Sequence, residues 1–206
     1  MNIFSFEFKN WYTLLIKINW FYIIVLLVLI YFITQITKHV IIHTNKKSID
    51  VDMISLGIGN SSITLHYNNK DKEIAYKLWV ELSTRKIGLL FDKDNDVIIE
   101  TYNSWYEFFK IARELMKEIP VQSLSKNIDI VNLTEKVLNK ELRPHLTKWQ
   151  AKYRKWYEIK SKGDDRTPQE IQKDYEGYEE LVKELLEVNK HMLEYKEILH
   201  KIAENK

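Results

Sequence analysis

INWFYIIVLLVLIYFITQIT, residues 18–37, contains no charged side chain. As a helix rising 1.5 Å per residue it would extend about 30 Å, the thickness of the hydrocarbon core of a bilayer. An amphipathic core helix interrupts its apolar run every third or fourth residue, whereas Trp20 to Ile33 presents no polar face. Trp11, Tyr12, Trp20 and Tyr22 on one side, with Tyr31 and Phe32 on the other, have the placement of aromatic belts at headgroup level. The run is long for the apolar part of a signal peptide, and Gln35, Ile36, Lys38 and His39 follow it where small residues would mark a cleavage site. A permanent anchor is therefore expected.

Charge around this segment sets its expected orientation. Lys9 and Lys17 precede it, offset by Glu7, while Lys38, Lys46 and Lys47 follow it. The positive-inside rule then puts the N-terminus outside and the C-terminal domain in the cytoplasm, at the inner (plasma) membrane. Working outward, the expected organisation is a membrane anchor over 1–37, a juxtamembrane linker over 38–50 and one soluble domain over 51–206. Within that domain, 51–91 reads as β-containing and 97–206 as helical.

Net charge is +2, from 31 basic and 29 acidic residues, so the overall balance is not that of a nucleic-acid binder. No cysteine is present, which excludes disulfides, thiolate metal sites and cysteine nucleophiles. Only 5 Gly and 3 Pro leave little material for phosphate-binding loops, and abundant Lys, Glu, Leu and Ile favour helix.

Alternation on either side of Gly57, Gly59, Asn60 and Ser61 predicts a hairpin within Val51 to Tyr67, and Gly88 to Phe91 reads as a third short strand. Asp71 is the expected cap of a helix from Lys72 to about Lys86, and Asp96 of the next one. That second helix carries Ile98, Tyr102, Trp105, Phe109, Ala112, Met116 and Ile119 on one stripe, ended by Pro120. Thr134 is read as the cap of a further helix that Pro144 breaks or kinks. Beyond the polar loop from Ser161 to Pro168, Tyr178, Leu181, Leu185, Val188, Met192, Tyr195, Leu199 and Ile202 keep a three-four spacing, a heptad seam. Nine basic and two acidic residues over 136–162 oppose seven basic and twelve acidic over 163–206, which favours antiparallel pairing. The fold class expected is α+β, mostly α: one transmembrane helix, a small hairpin or three-stranded sheet, and a helical bundle with a C-terminal antiparallel helical pair.

Three places invite chemistry. Asp92, Asp94 and Asp96 have the opening spacing of a calcium loop, but Val97 stands where Gly is needed and Asn103 where the bidentate Glu belongs, so no metal site is assigned. Ser83, Thr84, Arg85 and Lys86 sit at a helix end, where cations favour the helix dipole and where the hydroxyls beside Arg85 are suited to a phosphate. Asn103, Ser104, Trp105 and Tyr106 are candidates to share that pocket. From Arg143 to Tyr157, basic residues alternate with aromatics. Arg143, His145, Lys148 and Lys152 are its candidate phosphate ligands, set against the reading that Trp149, Tyr153 and Trp156 are core. No nucleophile elbow or paired zinc histidines appear, so neither an enzyme nor a cofactor is expected.

KLWVELSTRKIGL (77–89), NSWYEFFKIAREL (103–115) and ELRPHLTKWQAKYRKWYE (141–158) resemble segments of uncharacterised single-span bacterial membrane proteins with a helical cytoplasmic domain. The resemblance implies a bacterial source and brings no catalytic residue. The function expected is a membrane-tethered sensor or interaction module that binds a protein partner or a small anionic ligand, a phosphorylated one among the candidates. The alternative is a homo-oligomeric effector of a bacterial stress or anti-phage pathway that perturbs the bilayer on assembly.

Overall fold

The computed structural model describes residues 4–10, 13–18, 20–44, 47–53 and 55–204. The chain divides into two compact units, Met1–Lys46 and Lys47–Lys206.

In the first unit, β1 (Phe4–Asn10) pairs antiparallel with β2 (Thr13–Ile18), Phe4 opposite Ile18 and Phe8 opposite Leu14. The helix α1 (Trp20–Thr44) follows. Its Trp20–Lys38 part has mean hydropathy 2.2 and is long and apolar enough to cross a membrane. Hydroxyls in this helix turn back on the backbone: Thr34 Oγ1 donates to the Tyr31 carbonyl at 2.7 Å and Thr37 Oγ1 to that of Ile33 at 2.9 Å. Such bonds satisfy polar groups where no water is available. No hairpin is assigned from sequence before the helix; in the structure Phe4, Phe6 and Phe8 alternate along β1. The stretch expected as a linker is mostly regular structure: α1 runs past Lys38 and His39 to Thr44, and a strand begins at Lys47.

In the second unit, β3 (Lys47–Asp52) and β4 (Ser62–Tyr67) form the expected hairpin, Val51 opposite Ile63 and Ile49 opposite Leu65. Val51, Leu65 and Tyr67 are buried on one face, and the connecting loop adds Met53 and Leu56. Gly57 has φ +71°, and a Cβ there would lie 2.4 Å from the His191 ring, so both conformation and space require glycine. The cap of α2 (Asn69–Thr84) is Asn68, not Asp71. Its side chain accepts from Lys70 N and Asp71 N, and the Asp71 carboxylate in turn accepts from Asn68 N, a reciprocal capping box.

Gly88 to Phe91 form no third strand. A 3-10 turn, Lys86–Gly88, leads into extended chain whose partner is a side chain. Asn189 donates from Nδ2 to the carbonyls of Ile87 and Leu89 and accepts from Phe91 N, while Lys196 Nζ donates to the Gly88 carbonyl. One buried amide thus does the work of a neighbouring strand. A Cβ on Gly88 would meet the Leu82 carbonyl oxygen at 1.9 Å, so this turn needs glycine as well.

The N-terminus of α3 (Ile98–Lys117) is satisfied from a distance: Ile98 N donates to Oε1 of buried Gln172, whose Nε2 donates to the Asp96 carbonyl. Asp96 is not the cap because its carboxylate accepts from Asp92 N and pairs with Lys86. The buried face of α3 includes Ile98, Tyr102, Trp105, Phe108, Ala112 and Leu115. Phe109 and Met116, expected in the same stripe, are half-buried at its edge.

After a 3-10 segment, Val121–Lys126, one continuous helical rod runs from α4 (Ile128–Lys136) through a π-helical segment, Val137–Leu142, the short α5 (Arg143–His145), a second π segment, Leu146–Gln150, and α6 (Ala151–Lys160). Pro144 neither ends nor splits this rod. The wider i→i+5 turns beside it absorb the missing N–H and the bulk of the ring. Thr134 lies inside α4, where its hydroxyl donates to the Ile130 carbonyl and meets Tyr195 Oη at 2.9 Å, so it is not a cap.

Thr167 and Glu170 make a capping box for the short α7 (Pro168–Ile171), and a 3-10 turn, Gln172–Asp174, leads to α8 (Tyr178–Glu204). All eight seam residues of α8 are buried, with Val182 and Asn189 widening the stripe. Its most extensive partner is α2. The fold is α+β and mostly helical, a bundle on a two-stranded antiparallel sheet.

Candidate functional site

A helix advances about 100° per residue, so adjacent Phe108 and Phe109 cannot share one orientation. Phe108 is fully buried and Phe109 is left half-exposed beside the rod. Arg113, one turn further along α3, brings its guanidinium to 5.7 Å from the Phe109 ring centroid, and Arg143 of the rod approaches to 4.9 Å. Both are cation–π distances. Arg143 is oriented by a relay along the rod: Glu135 accepts from Asn139 Nδ2 at 3.0 Å, and Asn139 Oδ1 accepts from Arg143 Nε at 2.9 Å. A guanidinium has five N–H donors, so the relay leaves most of Arg143 uncommitted.

Among the described residues no carboxylate pairs with either guanidinium. Together with Lys110 they border a cleft of about 370 Å³ whose other walls include Tyr106, Thr147 and Gln150. A second, more apolar groove of about 310 Å³ adjoins it, sharing Phe109, Arg113 and Arg143 and lined by Met116, Val131 and Leu138. The nearby field is positive: Glu114 is held below the usual carboxylate range by the hydrogen bond from Lys117, with Arg113 and Lys110 adding to the effect. Such a cleft is chemically equipped to receive an anion through charge-assisted hydrogen bonds.

The residues read from sequence scatter around this site. Thr84 donates its hydroxyl to the Val80 carbonyl, Arg85 pairs with Glu81, and Lys86 pairs with Asp96. Ser83 is half-buried beside them. Ser104 does reach this turn, accepting from Ile87 N at 3.3 Å, whereas Asn103 accepts from Arg154, Trp105 is buried and Tyr106 lines the arginine cleft. Asp92 accepts from Asp94 N and from both nitrogens of Asn95, which explains its lowered pKa, the Asn95 side chain contributing most.

Of the second group, only Arg143 lies in the cleft. His145, two residues on, is buried among Tyr102 and Trp105, its Nε2 at 3.0 Å from Tyr102 Oη and its Nδ1 at 3.9 Å from Glu184. Burial pushes its pKa down to about 4 against the attraction of Glu184, so the ring is neutral near pH 7. Lys148 bonds Glu180 at 2.8 Å and Glu184 at 2.6 Å, and those carboxylates raise its pKa. Lys152 is exposed, outside the cleft lining. Trp149 and Tyr153 are buried, and Trp156 packs at 5.0 Å from Tyr175. Trp149 and Tyr153 are thus core, while Trp156 and Tyr157 pack half-buried against it.

Lys110 and Arg113 lie outside the apolar stripe that spacing picks out on this helix, so spacing does not single them out. The doublet Phe108-Phe109 was the available signal, since one of two neighbouring rings must leave the buried face. Among known proteins, no family model, curated protein or solved structure matches this chain. The functional reading therefore rests on the chemistry of the cleft.

Proposed function

We propose that this chain is a membrane-tethered binding module whose cytoplasmic domain takes a small anionic ligand in the Arg113–Arg143 cleft. One observation carries the reading: two guanidiniums converge on one half-exposed ring without a carboxylate partner, in a chain where most cations discussed above have one. The apolar helix α1 supplies the tether, and Lys38, Lys46 and Lys47 favour a cytoplasmic domain. Supporting the cleft is a scaffold in which α8 pairs antiparallel with the rod, through Lys148 with Glu184, Glu141 with His191, and Thr134 with Tyr195. The role assigned is binding without catalysis.

Thermal unfolding of the full chain in lipid nanodiscs, with inorganic phosphate and pyrophosphate, tests this reading. A ligand at a hundred times its dissociation constant stabilises the folded state by about 2.7 kcal/mol. The expected result is a raised midpoint that the double variant Arg113→Ala, Arg143→Ala abolishes. Equal shifts in parent and variant would place the anion elsewhere. Ligand-driven assembly seen by sedimentation would move the reading to the oligomeric effector.

A further inference from the structure

We propose that the ligand is a single-chain amphiphile with a phosphate head, the phosphate held by Arg113 and Arg143 and the hydrocarbon chain laid along Met116, Val131 and Leu138. This deepens the anion-binding reading and depends on it. The two cavities are distinct in chemistry yet continuous in their walls. The 370 Å³ cleft has Lys110, Thr147 and Gln150 at its border, the 310 Å³ groove has apolar side chains, and Phe109 with the two arginines belongs to both. Each falls near the lower end of ligand-pocket volumes, roughly 300–1,000 Å³. A molecule that fills both must be charged at one end and apolar at the other, with the charge at the shared arginines.

The head fits a phosphate. Two guanidiniums, Arg113 and Arg143, border one cleft and together match a dianion, while Lys110 beside them lies 3.6 Å from Glu107; the relay from Glu135 through Asn139 fixes Arg143 without neutralising it. The tail fits a flexible chain. Val131 and Met116 are half-buried and Leu138 is buried, so these three give the groove an aliphatic floor, with Lys117, Glu135 and Asn139 also on its lining, and methionine adapts to irregular shapes. A nucleotide fits less well: guanidiniums at 4.9 Å and 5.7 Å already crowd the Phe109 ring, and exposed Tyr106 is the one lining aromatic left for a base. A tethered domain also works at a bilayer, where single-chain amphiphiles partition.

The test is calorimetric titration of the full chain in zwitterionic nanodiscs, with heats from empty discs subtracted, using inorganic phosphate, butyl phosphate, octyl phosphate and adenosine monophosphate. Each buried methylene should tighten binding by about three- to fourfold, so even partial burial of the chain makes octyl phosphate about tenfold or more tighter than butyl phosphate. Arg143→Ala should weaken all the phosphates alike. Val131→Asn and, independently, Met116→Gln should erase the dependence on chain length while leaving inorganic phosphate binding intact, and the second keeps the test decisive should the first fail to fold. Inorganic phosphate or adenosine monophosphate binding as tightly as octyl phosphate would overturn the amphiphile and leave the anion reading standing. Chain-length dependence unchanged in both groove variants would also overturn it. No binding by any of the four would overturn both.

Discussion

Two arginine sites on this domain have opposite fates. Arg85 and Lys86 follow a helix end, beside hydroxyls, and each is matched to a carboxylate, Glu81 and Asp96. Arg113 and Arg143 come from segments thirty residues apart along the chain, and among the described residues their polar partner is a single amide, that of Asn139. A cation matched to a carboxylate has its field largely cancelled, while one held by an amide keeps it. What distinguishes a binding cation from a structural one here is the company supplied by other elements.

The comparison can be broken most forcefully through the scaffold of the paired site. Asn189→Leu removes three hydrogen bonds, two of them buried, from the 87–91 segment and strands one amide and two carbonyls. Unfolding by urea should show a loss of about 3 kcal/mol or more, with anion binding retained by the molecules that remain folded. Binding lost in step with local disorder at 87–91 would mean the two sites are one.

Next in size is the contrast within the rod between Arg143 and His145. The His145 pKa is about 4 when folded, below the ordinary value near 6.5 when unfolded, so the unfolded chain binds the extra proton between those values. Its contribution to stability is complete above pH 6.5 and declines as the pH falls towards 4, at up to about 1.4 kcal/mol per pH unit. The difference in stability between the parent and His145→Asn, followed over that window by denaturant titration, should show this slope. A flat difference would put His145 in water, beside Arg143 as a ligand.

A smaller effect is expected on the open arginines. Either Arg113→Ala or Arg143→Ala should weaken phosphate binding by about 1.5–3 kcal/mol, the worth of a charge-assisted hydrogen bond, with an unchanged melting temperature in its absence. Smallest is Arg85→Ala: its pair with Glu81 is an i,i+4 pair with both side chains partly exposed, so stability should fall by less than about 1 kcal/mol and phosphate affinity should not move. A larger effect on binding from Arg85 than from Arg113 would invert the comparison.

Helix faces were the legible part of this fold. Three-four spacing located the buried stripe of α8 residue by residue, because burial on a regular helix depends on sequence position alone. The ends of elements were less legible. Asp71, Asp96 and Thr134 are all reasonable caps by residue type, yet Asn68 caps α2, Gln172 serves α3 from across the chain, and Thr134 lies within α4 bonded to Tyr195. Capping by type assumes a partner at a known end, yet the α3 end found its partner across the chain and Thr134 is not at an end. Of the cleft lining, Arg143 and Tyr106 are legible in the sequence as site candidates, Tyr106 for the pocket at Arg85. The Arg143 neighbours His145 and Lys148 are turned by the helix into the core and towards α8, a 100° step per residue that a linear run of basic letters does not display.

Composition and periodicity by themselves determined that an apolar helix long enough for a bilayer precedes a mostly helical domain with a β-hairpin at its start, since hydrophobicity and its period are local properties of the chain. Tertiary structure alone decided that Pro144 sits inside an unbroken rod, that Asn189 replaces a third strand, and that Arg113 and Arg143 meet over Phe109. Each of these depends on which distant groups satisfy or neutralise a residue, and hydrogen-bond and charge balance is settled only when the elements pack.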